Sequence, residues 1–274
     1  MRMIKKAGNI VLALVIVLSL SVPVFAVEDS EDIDAVLRSR GYPQVMLDKM
    51  PPIAKESLYE EDYLEFDGGI ITTYNEESGQ FVDYDISADG VMPIGQIPTA
   101  DLSLVWYASK NKYNNKEIIV KYSYEWVKLP IFRWQDPIAV SWDDSLFEMK
   151  DDSFYKVDLY DGHYTQNGNP TGETFTGAVK SEEYGYAAGY SSGVTWYADL
   201  RGYTESYVVD KLYGHGEFFL EKKTSETGTS KVYGHYVHPT ASTGVNIYIP
   251  KFGNFSVSGG GSYDERGNQI TFSY

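Results

Sequence analysis

Ile118-Ile119-Val120-Lys121-Tyr122-Ser123-Tyr124-Glu125-Trp126 is the strongest strand-forming stretch of this 274-residue chain, rich in β-branched and aromatic residues. Its start, Ile118-Ile119-Val120, is apolar on both faces, so the strand calls for cover from both sides. Just upstream lie a polar turn over 111–115 and another run of strand formers over 102–107. Farther upstream, Ile70-Ile71-Thr72-Thr73-Tyr74 and Phe81-Val82-Asp83-Tyr84 flank Asn75-Glu76-Glu77-Ser78-Gly79, a hairpin signal with glycine closing the loop. Downstream, 138–142 is closed by Asp143-Asp144-Ser145. Short strands follow over 154–160, 175–179, 194–200, 207–212, 217–221, 231–237, 245–249, 255–257 and 270–274. Asp161-Gly162, Asn167-Gly168-Asn169-Pro170 and Gly259-Gly260-Gly261 punctuate them as turns.

Short strands at this spacing, with no long helical pattern between them, predict a mostly β protein. The expected architecture is an antiparallel β-sandwich of one or two packed β units with a short N-terminal helical segment. The alternation of Ile270-Thr271-Phe272-Ser273-Tyr274 also suits an outer-membrane barrel strand. Strands apolar on both faces, such as 118–120 and Trp196-Tyr197, and the helical start argue against a barrel. The 24 tyrosines suit half-buried strand faces, where an apolar ring ends in a polar tip.

The helical segment is read from its caps. Ser30 caps a helix whose first turn carries Glu31, Asp32 and Asp34, with Ile33, Val36 and Leu37 at helical spacing and Gly41 as the stop. Pro43 opens a second helix, and Pro51-Pro52 ends it and opens a third. The expected organisation is a signal peptide over 1–26, a helical segment over 27–62, an acidic β unit over 63–152 and a Tyr/Gly-rich β unit over 153–274. Gly41-Tyr42-Pro43, Leu47-Asp48, Met50-Pro51 and Leu58-Tyr59-Glu60 together resemble a pattern near the start of secreted proteins of Gram-positive bacteria, which implies no particular activity.

Arg2, Lys5 and Lys6 precede an apolar run from Ile10 to Leu18, then Pro23 and the small-residue site ending at Ala26, the order of a cleavable signal peptide. Cleavage between Ala26 and Val27 would remove three of the 23 basic residues and none of the 39 acidic ones, moving the formal net charge from −16 to −19. So acidic a chain repels nucleic acid and anionic lipid. The absence of cysteine excludes disulfides, thiolate catalysis, Cys-based zinc sites and an N-terminal lipid anchor. No second apolar stretch follows, so a secreted, extracellular protein without a membrane span after processing is expected, its oligomeric state left open.

Constellations with chemical potential are few. Asp83, Asp85 and Asp89-Gly90 follow a strand, and oxygen donors on a glycine turn suit calcium, although position twelve from Asp83 is Ile94 where a calcium loop of the EF-hand kind needs Glu. Turn-forming aspartates are the alternative, so calcium is the one possible cofactor. His235 and His238, three apart on a strand, should face opposite ways, and a zinc ion there would need His163 or His215 to join. Neither a G-x-S-x-G elbow nor a marked Ser-His-Asp set occurs, so no catalytic residue is assigned. Trp126 and Trp142 read as core, whereas Trp134, in the turn Phe132-Arg133-Trp134-Gln135-Asp136-Pro137, reads as exposed and able to stack on a sugar ring.

Lys231-Val232-Tyr233-Gly234-His235-Tyr236-Val237-His238, followed by the strand over 245–249, resembles the core of the lactococcin 972 type of secreted bacteriocin. Thr195-Trp196 and Tyr274 fit that family's Thr-Trp and aromatic terminus, within the last 80 or so residues. The resemblance implies a β-sandwich and a ligand-contacting role for Tyr233, His235, Tyr236 and His238. The expected function is thus a secreted, non-enzymatic, bacteriocin-like antimicrobial effector acting on the envelope of competitor bacteria. The alternatives are an extracellular glycan- or cell-wall-binding module, with or without calcium, and a secreted hydrolase. Mass spectrometry of protein recovered from the culture medium should find Val27 as the first residue; a membrane-held chain still carrying Met1 would refute the processing.

Overall fold

In a computed structural model the residues described are 32–87, 100–186, 192–200, 206–241 and 245–274. Among these residues three short helices come first: α1 (Ile33–Ser39), α2 (Gln44–Leu47) and α3 (Pro52–Glu60). Thirteen strands follow: β1 (Leu64–Asn75), β2 (Gln80–Ser87), β3 (Leu102–Asn111), β4 (Asn114–Trp126), β5 (Gln135–Trp142), β6 (Phe147–Gln166), β7 (Asn169–Tyr186), β8 (Gly193–Asp199), β9 (Tyr207–Lys222), β10 (Thr229–Pro239), β11 (Asn246–Lys251), β12 (Asn254–Ser258) and β13 (Tyr263–Ser273). A seven-stranded sheet in the order β2-β1-β3-β4-β9-β6-β7 faces a four-stranded sheet in the order β13-β10-β5-β8, and β11 and β12 form a separate hairpin. All pairings are antiparallel. The mostly β, sandwich-like architecture with a helical start is therefore as the sequence predicts.

Strand periodicity explains the layering. On β4, Ile118, Val120, Tyr122, Tyr124 and Trp126 point into the space between the sheets, where they meet Ile138, Val140, Trp142, Trp196, Val232 and Phe272. Ile119, on the other face, joins Val105 and Tyr107 beneath Leu37, Met46, Leu47, Ala54 and Leu58 of the helices. The expected two-faced burial at 118–120 is met by helices outside and the second sheet inside. The β11–β12 hairpin covers the far side of the second sheet, burying Val245, Ile247 and Ile249 against Ala139 and Val237. Four layers result: helices, large sheet, small sheet and hairpin. Both sheets take strands from either side of residue 152, and that expected boundary falls inside β6.

Glycines account for the main differences from the sequence. Gly214 and Gly216 separate the expected strands 207–212 and 217–221, yet β9 runs through them unbroken. A Cβ on Gly216 would lie 2.3 Å from the Tyr122 ring, and one on Gly214 would lie 2.7 Å from the Tyr124 ring. These glycines thus make room for rings on the neighbouring strand. Asp161-Gly162, expected as a turn, is instead a register shift within β6, with the Val208 carbonyl 2.1 Å from where a Gly162 Cβ would stand. Asn167-Gly168, with φ of 52° and 77°, forms the expected tight turn between β6 and β7. Gly216→Ala should lower unfolding free energy by about 1–3 kcal/mol through overpacking, measured by urea denaturation; an unchanged midpoint would contradict the close approach.

Candidate functional site

β10 carries the residues that the sequence singles out, and its alternation sends them to two different places. Tyr233 and His235 face outward, away from the large sheet. They line a groove of about 520 Å³ with Phe255, Asn254 and Gln269. Antiparallel pairing sets Tyr233 opposite Gln269 and His235 opposite Gly267 of β13, while the hairpin β11–β12 supplies the other wall. The His235 ring lies 5.0 Å from that of Phe255, and its Nε2 is 2.9 Å from Glu265 Oε2. Tyr233 meets Phe252 nearly edge-on at 5.2 Å.

Two glycines keep this groove open. A Cβ on Gly253 would come 3.3 Å from the Tyr233 ring, and one on Gly267 would come 3.1 Å from His235 Nδ1. What remains is a concave surface of aromatic rings with amide groups from Asn254 and Gln269 at its margin. That composition suits a ligand with both an apolar face and several hydroxyl groups. The residues lining it carry no carboxylate.

Tyr236 and His238 face inward, where they meet Asp136 of β5. The Tyr236 hydroxyl donates to Asp136 Oδ2, and His238 Nδ1 lies 3.1 Å from the same oxygen. His238 and Asp136 are completely buried. The imidazole packs against Trp126 at 4.9 Å, and its Nε2 is 3.9 Å from Glu76 Oε1. Nearby, Tyr74 donates to Asp264 at 2.5 Å. Burial on its own would lower the His238 pKa, but Asp136, with Glu76 and Asp264 beyond, outweighs it and raises the value. Burial raises Asp136 despite the opposing pull of His238 and Tyr236. A dyad enclosed this completely is out of reach of a substrate, and it ties β10 to β5.

The other expected residues are scattered. Asp83 accepts from Thr72 Oγ1 at 2.8 Å and from Arg266 Nε at 2.8 Å, and Asp85 is exposed on the same strand. A calcium ion at Asp83 would have to displace that guanidinium; Asp89 lies outside the described residues. His163 pairs with Asp210 at 2.8 Å, and His215 lies under the helices, so the histidines do not converge. Among the described residues no group of three or more His, Asp or Glu is placed to hold a metal ion. Trp134 is 37% exposed on the loop between β4 and β5, beside the exposed Ile131 and Phe132 and apart from the groove lining. Trp126 and Trp142 are core, as expected.

Sequence reasoning found Tyr233 and His235 but missed Phe255, Asn254 and Gln269, which reach the groove only through the pairing of β10 with β13 and the folding over of the hairpin, and Glu265, which pairs with His235. It also missed Asp136, whose signal was a lone acid beside Pro137 before an apolar strand.

No family model matches the chain, and no curated protein sequence matches it. Forty-six chains of solved structures do match. One of them, titled "Pore forming protein", aligns with 62% of this chain and 85% of its own length at a TM-score of 0.29 and 6% identity.

His238→Leu leaves Asp136 buried with only the Tyr236 hydroxyl and should cost about 3–5 kcal/mol in urea unfolding. The loss should shrink in Asp136→Asn/His238→Leu, where no charge is stranded. Because the folded His238 pKa is raised, its contribution is fully present below pH 6.5 and is lost as pH rises through the raised value; Asp136 acts in the same sense at lower pH. His238→Leu should therefore flatten the decline of stability above pH 6.5, and an unchanged profile would refute the assignment.

Proposed function

We propose that the protein is an exported, non-catalytic binding protein whose groove between β10, β13 and the β11–β12 hairpin takes a carbohydrate of a bacterial envelope. The supporting observation is the facing of Tyr233, His235 and Phe255 with the amides of Asn254 and Gln269 in one open groove. Aromatic faces cover the apolar side of a sugar ring, and amides exchange hydrogen bonds with its hydroxyls. Catalysis by a hydrolase finds less support, since a carboxylate pair about 5–10 Å apart is the usual requirement and the groove lining carries none.

The antimicrobial reading draws on a separate observation. The segment resembling lactococcin 972-type bacteriocins supplies three lining residues, Tyr233, Gly234 and His235, so the same groove would recognise the target on a competitor cell. In both readings affinity resides in the rings, and calcium assistance at Asp83 and Asp85 is an additional proposal that chelation tests.

Retention on insoluble cell wall or polysaccharide, read by sedimentation, should fall about tenfold or more in Tyr233→Ala and Phe255→Ala while the melting transition stays cooperative. Retention equal to the parent protein in both variants would sink the groove as the binding site. Inhibition zones on a panel of related bacteria, lost in the same variants, would select the antimicrobial reading over simple wall attachment.

A further inference from the structure

A second cavity lies on the helix-covered face of the large sheet. α3 forms its roof and β9 and β6 its floor, with a volume of about 300 Å³. His215 and Glu217 stand two apart on β9 and therefore share this face. Register places Lys121 of β4 and Tyr155 of β6 on either side of Glu217. From above, α3 contributes Ser57 and the exposed pair Glu56 and Glu60, one turn apart, and Glu61 follows directly.

Charge in this cavity is out of balance. Lys121, 2% exposed, places its ammonium against Glu61 and 2.5 Å from Glu217, with Ser57 Oγ at 3.2 Å. Among the described residues the lining carries four carboxylates, Glu56, Glu60, Glu61 and Glu217, and Lys121 pairs with the last two. Burial, together with the charge of Glu217, raises the Glu61 pKa even with Lys121 beside it.

His215 supplies an independent sign. It is 4% exposed and lines the cavity, yet its ring nitrogens have no hydrogen-bond partner among the described residues. Its one ring contact is with Tyr155, at 5.7 Å and 63°. Burial, and then the nearby Lys121 ammonium, lowers its pKa to about 4, so at neutral pH the imidazole carries a free acceptor nitrogen. Ser123, opposite His215 in the register, is buried with an unpartnered hydroxyl. The nearly buried His215 side chain lines an acid-rimmed cavity without a donor for its acceptor nitrogen among the described residues, and a donor that also brings positive charge suits both the nitrogen and the carboxylates.

We propose that this cavity binds an alkylammonium group, either a free diamine or a lysine side chain. The ammonium donates to His215 and is held by the carboxylates, the Tyr155 ring offers a cation-binding face, and Ile53 covers the methylenes. This site is separate from the β10 groove and does not depend on its ligand.

The test is isothermal titration of the purified protein with 1,5-diaminopentane at low salt. Saturable one-to-one binding is expected, with movement of the His215 ring resonances. Glu56→Gln/Glu60→Gln alters only the exposed rim, so the fold persists, and it should weaken binding about tenfold. His215→Phe should weaken it comparably. Binding of N-acetyl-lysine methylamide as well as the diamine would point to a lysine side chain as the source, and binding of the diamine alone to a free diamine. The proposal is overturned by equal binding of 1,5-pentanediol, by unchanged affinity in the rim variant, or by no saturable heat in the millimolar range.

Discussion

Two tyrosine rings laid over two bare stretches of backbone hold the large sheet to the rest of the molecule. Tyr122 and Tyr124 of β4 lie over Gly216 and Gly214 of β9, in a space that a single methyl group would fill. From there the aromatic contacts run inward. Tyr122 packs on Trp106 at 5.5 Å and on Trp196 at 4.9 Å, and Trp196 stacks on Phe154 at 5.8 Å and meets Phe218 at 6.2 Å. Strands β3, β4, β6, β8 and β9, from both sheets, thus share one set of rings. Each such pair contributes roughly 0.5–1.5 kcal/mol beyond its burial, so the interlock sets which strands are neighbours as well as how firmly they pack.

Around that apolar centre the chain places buried charges at the joints between layers. Asp136, Tyr236 and His238 join β5 to β10 inside the small sheet, next to the β1–β2 turn through Glu76. Lys121, Glu61 and Glu217 join the helices to the large sheet. Asp158 accepts from Tyr124 and Ser181 and pairs with Lys156 at 3.1 Å, near the edge strand β7. Buried pairs of this kind add little net stability over apolar packing, because desolvation offsets most of the attraction. They do penalise any register in which a charge loses its partner, a useful property in a chain with no disulfide to fix its strands.

How much of this was legible followed from the range of the interactions. β4, the β1–β2 hairpin and the Asn167-Gly168 turn were readable because their signals are local: strand formers in a row, or a dipeptide suited to positive φ. Gly162, Gly214 and Gly216 were misread because glycine marks a turn as readily as a space for a ring, and only the neighbouring strand tells the two apart. The opposite facing of His235 and His238 came straight from strand alternation. Their partners did not, since Glu265 and Asp136 lie 30 and 102 residues away in sequence. The groove suffered most, for it needs β10 and β13 paired in one sheet and a separate hairpin folded against them.

The two faces of β10 are therefore mechanically one device. Tyr233 and His235 hold their rings along the groove because Tyr236 and His238, on the same strand, are fixed inside by Asp136. A groove built on a loop would have to order those rings on binding, at roughly 0.5–1.5 kcal/mol per immobilised side chain. Here that ordering is done during folding, by a buried acid outside the groove. His235 is further restrained by Glu265 and Phe255, leaving the groove's shape set before anything enters it. Sequence alternation thus divides one eleven-residue strand between a groove-lining face and the lock that keeps it in place.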